Sequence, residues 1–147
     1  MLLIGLKNTG IQDLAVDELL GFGAAYRRYC KKDACGVPTF SSDATSLTLN
    51  QKGIYHLTAV ITFTAPVAGD VTFQLLENGV VIPGALATET ITTATTEIKT
   101  TTLDYYILVD NTILFGALSS TPKVITIQNT GEASTVSNVV LNVTKEV

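Results

Sequence analysis

The side chains that could do chemistry in this chain are few. There is one histidine, His56. A nucleophile–histidine–acid triad needs only one. No Gly-x-Ser-x-Gly turn is present to raise a serine above a sheet, however, and no group that would orient the ring can be read from the pattern. His56 shares a strand face with Thr58, Val60 and Thr62, and the alternative is that this face lines a subunit interface or a second sheet face. Cys30 and Cys35 have C-x4-C spacing across Lys31, Lys32, Asp33 and Ala34. Tetrahedral zinc takes four nitrogen or sulfur ligands, more than two cysteines and one distant histidine supply. Redox dithiols are normally spaced C-x-x-C. Free thiols remain, or a local disulfide once the protein meets an oxidising setting, and the neighbouring lysines would favour thiolate. Asp104 and Asp110, six apart on a strand, would stand about 20 Å apart. A glycosidase pair needs about 5–10 Å. No catalytic, cofactor-binding or metal-binding residue is assigned, and no cofactor is expected. The one dense charge cluster is Arg27-Arg28 with Lys31-Lys32. It is either a solvated strand end or turn, or a docking contact to an acidic partner surface.

The elements that must position these residues are most legible between Gly53 and Gly84. Tyr55, Leu57, Ala59, Ile61 and Phe63 alternate with His56, Thr58, Val60 and Thr62. Val71, Phe73 and Leu75 alternate with Thr72, Gln74 and Leu76. A period of two predicts paired β-strands, each with one face toward a core. Ala65-Pro66 and Gly69-Asp70 break and reverse the run, and Asn78-Gly79 predicts a two-residue hairpin turn. Further strands are expected at 46–49, 103–109, 113–118 and 124–128, with Val139, Leu141 and Val143 as a final inward-facing set. The Thr-rich stretch 87–102 suits either low complexity or exposed strands with a long loop. Residues 10–30 admit two readings. Ile11, Leu14 or Ala15, Glu18 or Leu19, Phe22, Tyr26 and Tyr29 give a helical stripe with Thr9 and Gln12 at capping-box spacing. Gly21 and Gly23 count against a helix, at about 1 kcal/mol each, and as strands Gly21-Phe22-Gly23 is a bend before the alternating Ala25, Arg27 and Tyr29.

Composition agrees with an all-β chain. Charged residues make up 15% of the 147, against about 25% in ordinary soluble domains, and the polar remainder is rich in Thr. So few charges on an all-β monomer would leave exposed faces and edges that stick, which favours a homo-oligomer. A net charge of −4 argues against nucleic acid, since phosphate binding needs a basic stripe. No apolar run reaches the ~18 residues of a membrane helix, so no membrane partner is expected. Met1-Leu2-Leu3-Ile4 begins like a signal peptide, but Gly5-Leu6-Lys7-Asn8 ends it. The expectation is a protein made without export and released by lysis. Charge also divides the chain. Residues 1–36 hold nine of the charges and residues 37–147 thirteen. The first segment is expected to form an N-terminal arm with the first strands, able to dock. Residues 37–147 are expected to form the core of an antiparallel all-β sandwich, the two making one compact domain.

At Gly53-Ile54-Tyr55-His56-Leu57-Thr58, where a glycine and an aromatic two residues later open a strand, the chain resembles the globular heads of the C1q and tumour necrosis factor family. The run TFQLLENGVVIPGA is similar to the family's strand and Asn-Gly hairpin, and SNVVLNVTKEV to its last core strand. One position departs: Ser-Thr-Pro-Lys-Val stands where the family often has Gly-Asp before the penultimate strand. The resemblance covers roughly residues 10–147. It implies an antiparallel all-β jelly-roll sandwich, extended chain between Leu14 and Tyr29, and assembly as a homotrimer. Similar bacterial proteins include spore-surface glycoprotein heads and small phage and prophage proteins. The expected function is therefore non-enzymatic: a capsid-decorating or head-fibre trimer of a phage virion, with His56, Thr58, Val60 and Thr62 at the trimer interface. Arg27, Arg28, Lys31 and Lys32 would dock to a capsid or other virion protein, since trimers match the local three-fold positions of capsid shells. The alternative is a receptor- or glycan-binding module on a phage tail, spore or cell surface, with Tyr105, Tyr106 and Phe115 as stacking surfaces and no Trp to help.

Overall fold

The structure, a computed structural model, describes residues 2–30, 39–40, 45–114, 117–120 and 122–146. Its strands are β1 (Leu2–Asn8), β2 (Gln12–Leu14), β3 (Ala24–Cys30), β4 (Thr39–Phe40), β5 (Leu47–Leu49), β6 (Gly53–Thr64), β7 (Gly69–Glu77), β8 (Val80–Ile91), β9 (Lys99–Val109), β10 (Asn111–Leu114), β11 (Ala117–Ser120), β12 (Lys123–Asn129) and β13 (Ser134–Lys145). No described residue is helical. One sheet has the order β3-β1-β13-β6-β9, with β2 pairing β13 beyond the end of β1. The other has the order β4-β5-β12-β7-β8, and β10 and β11 form a separate hairpin. Every strand pair is antiparallel. The chain crosses repeatedly between the two sheets, from β5 to β6, β6 to β7, β8 to β9 and β12 to β13, which makes a jelly roll of two packed layers.

The alternation in 53–63 becomes the centre of the core. Tyr55, Leu57, Ala59, Ile61 and Phe63 are buried, and the residues between them are not. Burial pushes the Tyr55 hydroxyl above its ordinary pKa, and the hydroxyl donates to the Gln51 carbonyl at 2.8 Å. The two predicted runs are both strands, but they do not pair with each other. The turn between them carries the chain across the sandwich, so β6 and β7 lie in opposite sheets and meet core to core. Phe63 and Phe73 make that contact edge to face, with ring centroids 5.2 Å apart and planes at 72°. Residues 78 and 79 form the hairpin as expected. Asn78 has φ 52° and Gly79 φ 76°, the left-handed pair that a type I′ turn requires and that Asn and Gly adopt most readily.

Alternation fails in β7, where Phe73, Gln74, Leu75 and Leu76 are all buried. The cause lies on the neighbouring strand. Gln74 is opposite Leu86 and Leu76 opposite Val81, so residues 82–85 make an excursion beside one residue of β7. The Gln74 amide, covered by this excursion, donates to the carbonyls of Leu75, Ile82 and Ala85 at 2.8, 2.8 and 3.1 Å. A second difference concerns 113–118, read from sequence as one strand. Ile113 pairs with Leu118 in a hairpin of β10 and β11.

Residues 10–30 are extended, and the helical stripe does not form. Leu20 and Phe22 are both fully buried, on a segment that reaches the second sheet through Leu19 opposite Gln128 and Leu20 N–H to the Ile127 carbonyl at 2.8 Å. Gln12 holds the bend by its side chain. It accepts from Gly21 N–H at 2.8 Å and donates to the Gly21 carbonyl at 2.9 Å. Gly23 has φ +79°, and a Cβ there would lie 2.2 Å from the Lys7 carbonyl oxygen. The Thr-rich stretch is the end of β8, a loop, and the start of β9. Its threonines pair across strands, Thr72 with Thr88 at 2.8 Å and Thr62 with Thr100 at 3.1 Å.

Candidate functional site: the outer face of the six-stranded sheet

The residues between the core positions of β6 form the middle row of this face. By register His56 lies beside Tyr106 of β9 and Thr144 of β13, Thr58 beside Asp104 and Asn142, Val60 beside Thr102 and Val140, and Thr62 beside Thr100 and Asn138. The four residues grouped by sequence are therefore brought together, flanked on both sides by mostly uncharged side chains. Charge enters these rows at Asp104, at Lys7 of β1 and at Arg27 of β3. Exposed apolar and aromatic groups gather at one end. Ile54 is 39% exposed, Leu108 opposite it 57%, and Tyr106 60%. The far edge adds Tyr26 and Tyr29, both half exposed.

Tyr26 lies against the backbone of Gly5. A Cβ on Gly5 would come within 2.7 Å of the ring, and the Tyr26 hydroxyl donates to Asn142 Oδ1 at 2.8 Å. An irregularity in pairing after Gly5 places Tyr26 opposite no residue of β1. Such a bulge re-aims its side chain across the face. Ile54 and Leu108 share parity with His56 and Tyr106, so their place was available from alternation. The role of Tyr26 was not, because a bulge breaks the parity on which that reading depends.

The histidine has one interaction of chemical interest. His56 Nε2 meets Asp104 Oδ1, and its ring stacks on Tyr106 with centroids 4.5 Å apart and planes at 12°. A carboxylate orienting an imidazole is two-thirds of a triad. Among the described residues no hydroxyl or thiol is hydrogen-bonded to the other ring nitrogen. The nearby Thr144 hydroxyl donates instead to Glu146 at 2.8 Å. The pair can fix its own geometry on the face. Asp110 lies elsewhere, 3.9 Å from Lys52 Nζ.

The basic cluster is only partly described. Arg27 is opposite Gly5 and Arg28 opposite Ile4, whose side chain belongs to the core. Alternation sends consecutive arginines to opposite sides of the edge strand. Arg27 Cζ lies 6.0 Å from the Tyr26 ring centroid, within cation–π range. Lys31, Lys32 and Cys35 lie outside the described residues, as does Phe115. Tyr105 packs against the core, so of the aromatics named for stacking Tyr106 presents its ring to solvent. No group of three His, Cys, Asp or Glu that could hold a metal occurs among the described residues.

No family model matches the chain, and no curated protein matches it. Solved structures do. The globular domain of zebrafish complement 1qA protein superposes over 100% of this chain and 98% of its own, with TM-score 0.59 at 8% identity. This chain has a similar jelly-roll fold. Eiger TNF from S. frugiperda gives TM-score 0.56 at 11% identity over 100% of this chain and 94% of its own. PRD1 vertex protein P5 gives 0.54 at 14% over 98% and 96%. At such identities the likeness is one of fold. It covers the whole of the jelly roll, including the two-sheet layering that leaves the His56 face turned outward.

Proposed function

We propose that this C1q/TNF-like jelly roll is a non-enzymatic structural protein of a phage virion, a homotrimeric capsid-decorating or head-fibre protein. The observation that carries the reading is the outer face of the six-stranded sheet. It joins exposed Ile54, Tyr106 and Leu108 to a row of small β-branched and polar residues with little charge. Large exposed apolar patches mark association surfaces, and a second copy seated there would cover these side chains. A vertex protein among the similar structures supports a place on a virus particle. Complement and TNF heads support a structural or recognition role rather than catalysis. Docking to the particle falls to the basic edge strand, where Arg27 stands beside Tyr26.

The test is particle association. Virions purified from a lysate should carry the chain at a fixed stoichiometry, and Arg27→Glu with Arg28→Glu should release it while leaving the free protein folded. A chain absent from purified virions would overturn the virion reading. One observation favours a second reading, a glycan- or receptor-binding surface module. Tyr106 is 60% exposed, with His56 covering one ring face only, which leaves a platform on which a sugar could stack. Glycan binding by the folded protein, lost in Tyr106→Ala, would favour this second reading.

A further inference from the structure

The outward face of the six-stranded sheet carries a titratable pair near its aromatic end. His56 Nε2 meets Asp104 Oδ1 diagonally across β6 and β9, and the His56 ring stacks on Tyr106. The histidine side chain is 28% exposed and the carboxylate 57%. In the free chain water therefore reaches Asp104, and an ion pair so exposed contributes little. His56 is the one histidine of the chain, and imidazole is the side chain that ordinarily titrates between pH 5 and 8.

Among the described residues Asp104 pairs with no cation other than this imidazole. On β9, Tyr106 and Leu108 follow it on the same face, and then Asp110, which lies 3.9 Å from Lys52 Nζ. On β13, Thr144 stands beside the ring, and its hydroxyl donates to Glu146. Lys145 is paired with the core residue Tyr55, and its Nζ lies 3.4 Å from Gln51 Oε1. On β6 the flanking residues of the face are Ile54 and Thr58. Lys7 and Arg27 belong to β1 and β3, three and four strands from β9, about 14 and 19 Å at the usual strand spacing.

A second copy seated on this face takes water away from both groups. With the imidazole neutral, the pair keeps one negative charge, and a carboxylate left uncompensated away from water is strongly disfavoured. One added proton makes the pair neutral overall, whichever of the two groups holds it. The stacked Tyr106 ring turns its electron-rich face to an imidazolium. We propose that self-association through this face takes up one proton per chain at the His56–Asp104 pair, so that mild acid assembles the protein and mild alkali dissociates it. The inference rests on the reading of this face as the contact between copies. Assembly raises the proton affinity of the pair. Its contribution is therefore complete below the range of a free imidazole, about pH 6.5, and is lost as pH rises through the higher midpoint of the assembled state. One proton per chain is a tenfold change per chain and pH unit, up to about 1,000-fold in the association constant of a trimer.

Sedimentation of the untagged full chain over a concentration series, between about pH 5.5 and pH 7.5, tests this. The association constant should fall steeply as pH rises. Asp104→Asn removes the charge that needs the proton, and it should assemble at the upper pH as tightly as the parent does at the lower. His56→Gln should assemble weakly at both, with a circular dichroism spectrum like the parent's. The single histidine also gives one Cε1 proton resonance, whose titration midpoint should rise with protein concentration in the parent and stay constant in Val60→Asp. A parent association constant that changes less than about threefold across this range overturns the proposal and leaves the contact between copies standing. So does an Asp104→Asn variant that keeps the parent's pH dependence. A parent protein that is monomeric at every pH overturns both.

Discussion

Glu97 shows how much one carboxylate can organise on a low-charge surface. It closes the loop between β8 and β9 by accepting from Thr93 N–H at 2.9 Å, from the Thr92 hydroxyl at 2.9 Å and from Thr92 N–H at 2.7 Å. Lys99 Nζ lies 3.3 Å from its other oxygen. The Thr93 N–H, then the Thr92 hydroxyl and N–H, hold its pKa down to about 2 from an ordinary 4.5. Hydrogen bonds to the charged form have this sign. A depressed folded-state pKa contributes stability that is fully present above the unfolded value, here 4.5, and is lost as pH falls toward about 2. A carboxyl ¹³C titration should therefore find Glu97 still ionised near pH 3, where a carboxyl with the ordinary value of 4.5 would be protonated. Glu97→Gln should remove this part of the acid dependence. A midpoint at the ordinary glutamate value would contradict the loop geometry.

Among the elements, the bend between β2 and β3 is the most demanding of its sequence. Gly23→Ala forces a side chain into φ +79° and toward the Lys7 carbonyl oxygen. It should destabilise the fold by about 2–3 kcal/mol, mostly through backbone strain and displacement. Chemical denaturation measures this directly, and a change below about 0.5 kcal/mol would show that the bend is not as tight as described. The bend also marks where sequence reading loses its grip. Strands β6, β9 and β13 were legible because each buries one face, so every second residue is apolar. Residues 10–23 follow no single period: Leu14, Leu20 and Phe22 are buried by a segment that changes sheets, and spacing could not separate that from a helix. Gln74 was misplaced for a related reason, since the excursion that covers it belongs to another strand. Turn chemistry was legible at Asn78-Gly79, where the needed φ values restrict the residue types. The partnership of His56 with Asp104 was invisible, because it depends on the register between strands 48 residues apart.

For the whole molecule, β1 matters beyond its length. It lies between β3 and β13 and contributes Ile4 and Leu6 to the core. Deleting the N-terminal segment would therefore remove part of the sandwich, and any docking role of Arg27 must be tested by substitution. The central claim is that the outward face of the six-stranded sheet joins copies of this chain. Light scattering of the purified protein measures it most directly, set beside Val60→Asp, which puts an unpaired charge in the middle of that face without touching the core. The account predicts three times the 15.6 kDa of one chain for the parent protein, and a folded monomer for the variant, since burying an unpaired carboxylate costs several kcal/mol. A parent protein that stays monomeric at high concentration, or a variant that remains trimeric, would contradict it.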